Sequence, residues 1–213
     1  MSFEFSEYLT SIIELSILQT LAVISPGPDF AITVRNSLIY SRQTAMITAL
    51  GVSFGILVHV TYITLGLGVL LSQTAWVLQF LKYAGAAYLM YLGYKGLSAK
   101  RSALNLGRTE HKNDISGLKA FSTGFLTNAL NPKAMLFFLS VFTVILSPDT
   151  PAPIMLIYAG IIFGTTLVWF SFVAFCFSGA KLREYFGSIK HWIERTTGGF
   201  LMLIGIKMLF ITQ

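Results

Sequence analysis

The 213-residue sequence predicts an all-α polytopic membrane protein: six transmembrane helices forming two inverted three-helix repeats, with helices one and four broken. Three observations carry this expectation. Only 11% of residues are charged, against about 25% in an ordinary soluble domain, while 54% are hydrophobic. Residues 43–81 and 150–180 contain no Asp, Glu, Lys or Arg. Three segments of the first half recur, in order, in the second. A water-soluble surface needs more charge than this chain has, and a disordered chain would be poor in apolar residues.

A membrane helix needs about 20 apolar residues. The spans fall at 6–34, 42–71, 76–97, 117–146, 154–179 and 194–212. All 213 residues form one transmembrane domain, with repeat 1 over about 6–97, a connection over about 98–116 and repeat 2 over about 117–212. The N-terminal segment carries Glu4, Glu7 and Glu14 and no Lys or Arg before Arg35, so it is not read as a signal peptide. The turn between spans two and three is expected near Ser72, Gln73 and Thr74. Prolines 148, 151 and 153 mark the turn between spans four and five.

The basic residues test the count. Arg35 and Arg42 edge the first connection. Lys95, Lys100, Arg101, Arg108, Lys112 and Lys119 lie in or beside the third. Lys181, Arg183, Lys190 and Arg195 lie in the fifth. In a six-span chain these connections share one side, which the positive-inside rule makes cytoplasmic, with both termini outside. Twelve of the 15 basic residues obey this; Lys82, Lys133 and Lys207 fall in or near spans. Such topology accounts for the net charge of +6 better than nucleic-acid binding does, and no nucleic-acid partner is expected. Trp76 and Trp192 sit near span ends, as interfacial tryptophans do.

The repeat is legible residue by residue. Tyr88-Leu-Met-Tyr-Leu-Gly-Tyr-Lys-Gly-Leu97 matches Phe200-Leu-Met-Leu-Ile-Gly-Ile-Lys-Met-Leu209. Gly51-Val-Ser-Phe-Gly55 matches Gly160-Ile-Ile-Phe-Gly164. Ser25-Pro26 sits opposite Asn131-Pro132. Three spans per half is an odd number, so the halves are inverted, an arrangement typical of secondary transporters. The glycine pairs permit close helix packing within one chain or between the subunits of a homo-oligomer.

Spans one and four are long, and each is interrupted by proline. A proline inside a helix removes a backbone donor and clashes with the carbonyl four residues back. Pro26, Gly27 and Pro28 break span one; Pro132 breaks span four more mildly. Paired breaks in two repeats point to a binding site, unless they are kinks that only shape the bundle. Asp29 follows one break and Lys133 the other. Lys133 lies about 24 Å along its span from residue 117, too deep to snorkel easily. A charge at that depth costs on the order of 3 kcal/mol and commonly marks a pathway. The two charges are expected to bind substrate, to carry a coupling proton or to neutralise each other.

Weaker candidates surround them. Ser25, Asn128 and Asn131 offer uncharged polar groups beside the breaks, for substrate or for capping freed backbone. His59, mid-span, is either a proton carrier or a hydrogen-bonded packing residue; its repeat counterpart is Val168. Gly51-Val-Ser53-Phe-Gly55 fits a nucleophile-elbow pattern, but it lies inside an apolar helical span where the required strand-to-helix turn is absent. No metal-ligand cluster, phosphate loop or dinucleotide fingerprint occurs. The single Cys176 excludes an intrachain disulfide. An enzyme is not expected, nor is any cofactor or metal.

Ser25-Pro-Gly-Pro-Asp29, Arg35-Asn-Ser37, Gly85…Tyr88-Leu…Gly93 and Leu126-Thr-Asn-Ala-Leu-Asn-Pro-Lys-Ala134 resemble the LysE/RhtB amino-acid exporter family. The resemblance runs over nearly the whole chain and is nearest to the homoserine/threonine efflux branch. It implies a carrier in the bacterial inner membrane that expels small neutral amino acids, driven by protons in antiport. Efflux of a basic amino acid, a metal cation or a drug is the alternative. In the mechanism expected here, helix N-termini beyond Pro28 and Pro132, with Lys133, meet the substrate carboxylate. Asp29 meets the ammonium or holds the proton.

Overall fold

The computed structural model describes residues 8–71, 75–99, 113–145, 150–178 and 180–210. Glu4 and Glu7, the turn at residues 72–74, Pro148 and the connection with Lys100, Arg101, Arg108 and Lys112 lie outside the described residues. So do the side chains of Trp76, Lys82, Lys181, Arg183 and Lys190.

The described residues form eight helices: α1 Leu9–Ile24, α2 Pro28–Ile39, α3 Arg42–Leu71, α4 Ala75–Leu97, α5 Gly117–Ala129, α6 Pro132–Ile145, α7 Ala152–Phe177 and α8 Ala180–Phe210. The all-helical architecture agrees with the sequence expectation, and both expected breaks are present. α1 and α2 meet at 52° across Ser25-Pro26-Gly27. α5 and α6 are separated by Leu130 and Asn131. Among the described residues, Arg42–Leu65 and Ala152–Phe177 are each long and apolar enough to cross a membrane, and the bent α1–α2 pair makes a third.

One boundary differs from expectation. Residues 180–193, read as a connection, are helical, so the last helix has 31 residues and runs about 46 Å. That exceeds the roughly 30 Å hydrocarbon core. Charge in this segment marks where the chain leaves an apolar environment, not where helical hydrogen bonding stops.

α3 packs along α5 and α7, and α4 packs along α8 and α6. Glycine sets the closest of these contacts. A Cβ on Gly51 would strike the Phe121 carbonyl, and one on Gly124 the Thr48 carbonyl. On α4 and α8, a Cβ on Gly93 would lie 2.8 Å from Gly198 O. Gly160 and Gly164 meet nothing within 4 Å. The matched glycine pairs of α3 and α7 therefore occupy unlike environments. The matched pair of His59 and Val168 does too: His59 is 1% exposed and Val168 71%.

Two apolar clusters form the interior. One joins Leu15, Ile56, Leu89, Phe138, Ile162 and Leu201 from six helices. The other joins Phe30 and Val34 of α2 to Ala49 and Val52 of α3 and Phe170 and Phe177 of α7. Large apolar side chains also cover the outside, among them Leu118, Leu130, Leu156 and Phe210. Apolar residues inside and out are the pattern of a bundle solvated by lipid.

Candidate functional site

The two breaks are built alike. α1 stops at Ile24 because Pro26 and Pro28 cannot donate to the carbonyls four residues back. α2 restarts with Pro28 at its first position, where a missing N–H costs nothing. Gly27 precedes it, and its carbonyl accepts the first helical bond from Ala31 N at 2.9 Å. In the second break, Asn131 caps α6. Its carbonyl accepts from Met135 N at 3.0 Å, and its Oδ1 accepts from Lys133 N at 3.0 Å.

Each break is completed by the other. Asn131 Nδ2 donates to Asp29 Oδ2 at 2.7 Å. Lys133 Nζ donates to Ser25 O at 2.9 Å, with Pro26 O at 3.5 Å. These carbonyls lie where α1 has ended, and a broken helix inside a membrane must find such partners within the protein. Gly27 leaves room for this: a Cβ there would sit 3.3 Å from Lys133 Cδ. The two charges form no ion pair within 4 Å among the described residues, where the ion pair present is Lys207–Glu14 at 3.2 Å. Asp29 is held by Asn131, and Lys133 by backbone carbonyls.

His59 serves the second break. Pro132 has no N–H for Asn128 O, its partner four residues back. His59 Nε2 lies 2.8 Å from that oxygen. A carbonyl only accepts, so Nε2 carries the hydrogen and Nδ1 faces Tyr62 Oη at 3.0 Å. The ring stacks on Phe138 at 6.0 Å. His59 stands behind Asn128 and does not line the cavity described next. Ser53 is internal to α3 and donates to Ala49 O at 2.9 Å.

A cavity of about 50 Å³ lies between the breaks, at the seam of the two apolar clusters. It has room for roughly three to five waters. Ser25, Gly27, Asp29, Asn128, Asn131 and Lys133 line it, so the structure gathers six of the ten sequence candidates. Pro26 lines a second cavity beside it; Pro28 and Pro132 start the helices whose first turns border the first. Asp29 Oδ1 and Asn128 Oδ1 are buried with no hydrogen-bond partner. The rest of the lining is largely apolar, with Phe30, Ile56, Phe137, Phe138 and Phe170 among it.

Gln19 also lines this cavity and escaped the sequence reading. It is 1% exposed. Its Nε2 donates to Thr166 Oγ1 at 3.0 Å and reaches Ile162 O at 3.4 Å. That commits the amide nitrogen to α7 and leaves the carbonyl oxygen as the acceptor at the cavity wall. The available signal is the amide side chain within the mostly apolar stretch between Glu14 and Ser25.

Residues 20–211 match the family described as LysE type translocator. The threonine efflux protein of Escherichia coli (strain K12) is 29% identical over 92% of this chain and 95% of its own length. The uncharacterized membrane protein YrhP of Bacillus subtilis (strain 168) is 28% identical over 89% of this chain and 94% of its own. The homoserine/homoserine lactone efflux protein of Salmonella typhimurium is 30% identical over 62% and 63%. No solved structure matches. The matched region contains both helix breaks and all of the cavity's lining except Gln19, and the chain belongs to the LysE type translocator family, as a multi-pass membrane carrier and not an enzyme.

Proposed function

We propose that this carrier exports small neutral amino acids of the threonine or homoserine kind across the bacterial inner membrane, by proton antiport. The observation that carries this reading is the pair of unpartnered acceptors, Asp29 Oδ1 and Asn128 Oδ1, on a cavity also lined by Lys133. A zwitterion needs a site of this composition. Its ammonium supplies donors to Asp29 and Asn128. Its carboxylate faces Lys133 and the first turns of α2 and α6, whose N–H groups have no intrahelical acceptor. The apolar wall suits a short side chain.

Asp29 is the carboxylate in the cavity wall, so a second cationic group on the ligand would have no matching charge there. This favours a neutral over a basic amino acid. A metal cation would want several carboxylate, His or Cys ligands together. No group of three such residues gathers among the described residues.

Asp29 alternates between the ammonium and the exchanged proton, so the two never ride together. The cavity is smaller than an amino acid, and loading therefore requires its walls to part. In this reading α1–α2, α3 and α4 form one three-helix repeat, and α5–α6, α7 and α8 the inverted other. The repeats rock about the breaks, and both termini face outward. His59 is a positioning residue that holds the α5 end, and hence Asn128, in place.

The deciding experiment is counterflow in proteoliposomes with a panel of labelled amino acids, with and without a pH gradient. Threonine or homoserine is expected to exchange, and a gradient is expected to accelerate it. No movement of any amino acid overturns the reading.

A further inference from the structure

A second cavity, of about 260 Å³, adjoins the first. Ser25, Leu92, Lys133 and Leu201 line both. The second cavity adds Lys95 from the last turn of α4 and Glu194 from α8. Its wall is tightly built. A Cβ on Gly96 would lie 2.5 Å from Glu194 O and 2.7 Å from Gly198 Cα, so α4 and α8 touch backbone to backbone here. Arg195 Nε donates to Ala99 O at 3.0 Å and ties the end of α4 to α8 at the rim. This close approach brings a cation and an anion from two helices to one cavity, which Lys133 also lines.

We propose that this second cavity is a docking subsite for the zwitterion of an α-amino acid, with Lys95 meeting its carboxylate and Glu194 its ammonium. The inference rests on the amino-acid reading above and adds a site to it. The arrangement resembles what the inner cavity offers: it has its own cation and anion, Lys95 and Glu194, beside the apolar Leu92 and Leu201, and it shares Lys133 with the inner cavity. Lys133 lines both cavities and is bonded to Ser25 O and Pro26 O. A carboxylate arriving from Lys95 competes with those carbonyls for the Lys133 ammonium. Its release opens the way inward and delivers the ligand with its carboxylate already on Lys133.

The test is threonine transport in sealed vesicles of both orientations, with KM and maximal rate measured from each face. Lys95→Gln and Glu194→Gln are each expected to raise KM about five- to tenfold when threonine is supplied on the face bearing Lys95, since Gln keeps a polar contact and loses only the charge. KM from the opposite face is expected to stay within about twofold. Lys95→Arg and Glu194→Asp keep the charges and are expected to keep KM on the Lys95 face. An unchanged KM on that face in both Gln variants overturns the subsite, as does an equal rise on both faces. A rise in the charge-keeping variants matching that of the Gln variants overturns the assigned roles. If the unmodified protein moves no amino acid, the export reading itself fails; if it moves threonine and only the KM pattern is wrong, this inference alone fails.

Discussion

Asn131 Nδ2 donates to Asp29 Oδ2 at 2.7 Å, joining two helix breaks that lie 102 residues apart. The same Asn131 caps α6 through its Oδ1. One amide thus orients the carboxylate of the first break while starting the helix of the second. Any motion that separates the breaks must disturb the Asp29 carboxylate, which links helix geometry to the group placed at the cavity.

Replacing Asp29 by Asn keeps the shape and an acceptor for Asn131 but removes the charge. Coupled export is expected to fall by about 10- to 100-fold, the equivalent of a charged hydrogen bond. The thermal midpoint in detergent should stay close to that of the unmodified protein. Counterflow with and without a pH gradient measures this, and undiminished proton-coupled export by the variant would sink the role given to Asp29.

Lys133 anchors the freed carbonyls of the first break. Lys133→Met leaves Ser25 O and Pro26 O without that donor and is expected to lower stability by about 1–3 kcal/mol and to abolish counterflow. Lys133→Arg should recover most of the stability. Chemical denaturation in detergent reads the first effect. Equal stability of the Met variant would show that these carbonyl bonds contribute little.

His59→Leu removes the side-chain donor from Asn128 O, which keeps its bond from Asn131 N at 2.8 Å, and is expected to cost about 0.5–1.5 kcal/mol. His59→Gln supplies an N–H again and should keep both transport and its response to a pH gradient. A Gln variant that exchanges substrate normally but ignores the gradient would transfer the proton-carrying role to His59.

The two matched glycine pairs should respond oppositely to alanine. Gly51→Ala and Gly55→Ala place a methyl against α5 backbone and are expected to destabilise by about 1–3 kcal/mol, as overpacking does. Gly160→Ala and Gly164→Ala meet nothing and should gain up to about 1 kcal/mol of helix propensity. Thermal unfolding of the four variants decides. Strong destabilisation at 160 and 164 would reveal a partner surface packed on α7.

Asp114 ties the first connection to the third. Its Oδ1 accepts from Ser41 N at 2.8 Å. Bonds from the Ser41 hydroxyl and then its backbone N–H hold the carboxyl below its ordinary value of 3.8. A depressed folded value means the contribution is present above that ordinary value and is lost as pH falls through the lower one. Asp114→Asn is therefore expected to lower the stability plateau above about pH 4 slightly and to flatten the acid limb below it, the two curves converging at low pH. An identical acid limb in the variant would refute the tie.

Much of the architecture was legible because it depends on composition along the chain. Span two was bounded at 42–71 and α3 runs Arg42–Leu71. Both proline breaks were placed to within a residue or two, since a missing N–H acts locally whatever surrounds it. The end of the last connection was misplaced, because polar residues from Lys181 to Arg195 report the environment while the backbone stays helical. Gln19 was passed over because nothing in an isolated amide tells a cavity wall from a packed interior.

By itself the sequence determined the membrane class, the helices, the two breaks and the family motifs at them. Tertiary structure decided who pairs with whom: Asp29 with Asn131 and not with Lys133, Lys133 with Ser25 O, His59 with Asn128 O. Periodicity states which face a residue occupies on its own helix. It does not state how two helices a hundred residues apart are rotated and shifted against each other. A hydrogen bond is made or lost within about 1 Å of such a shift, so partners at the breaks emerge only when both halves are packed.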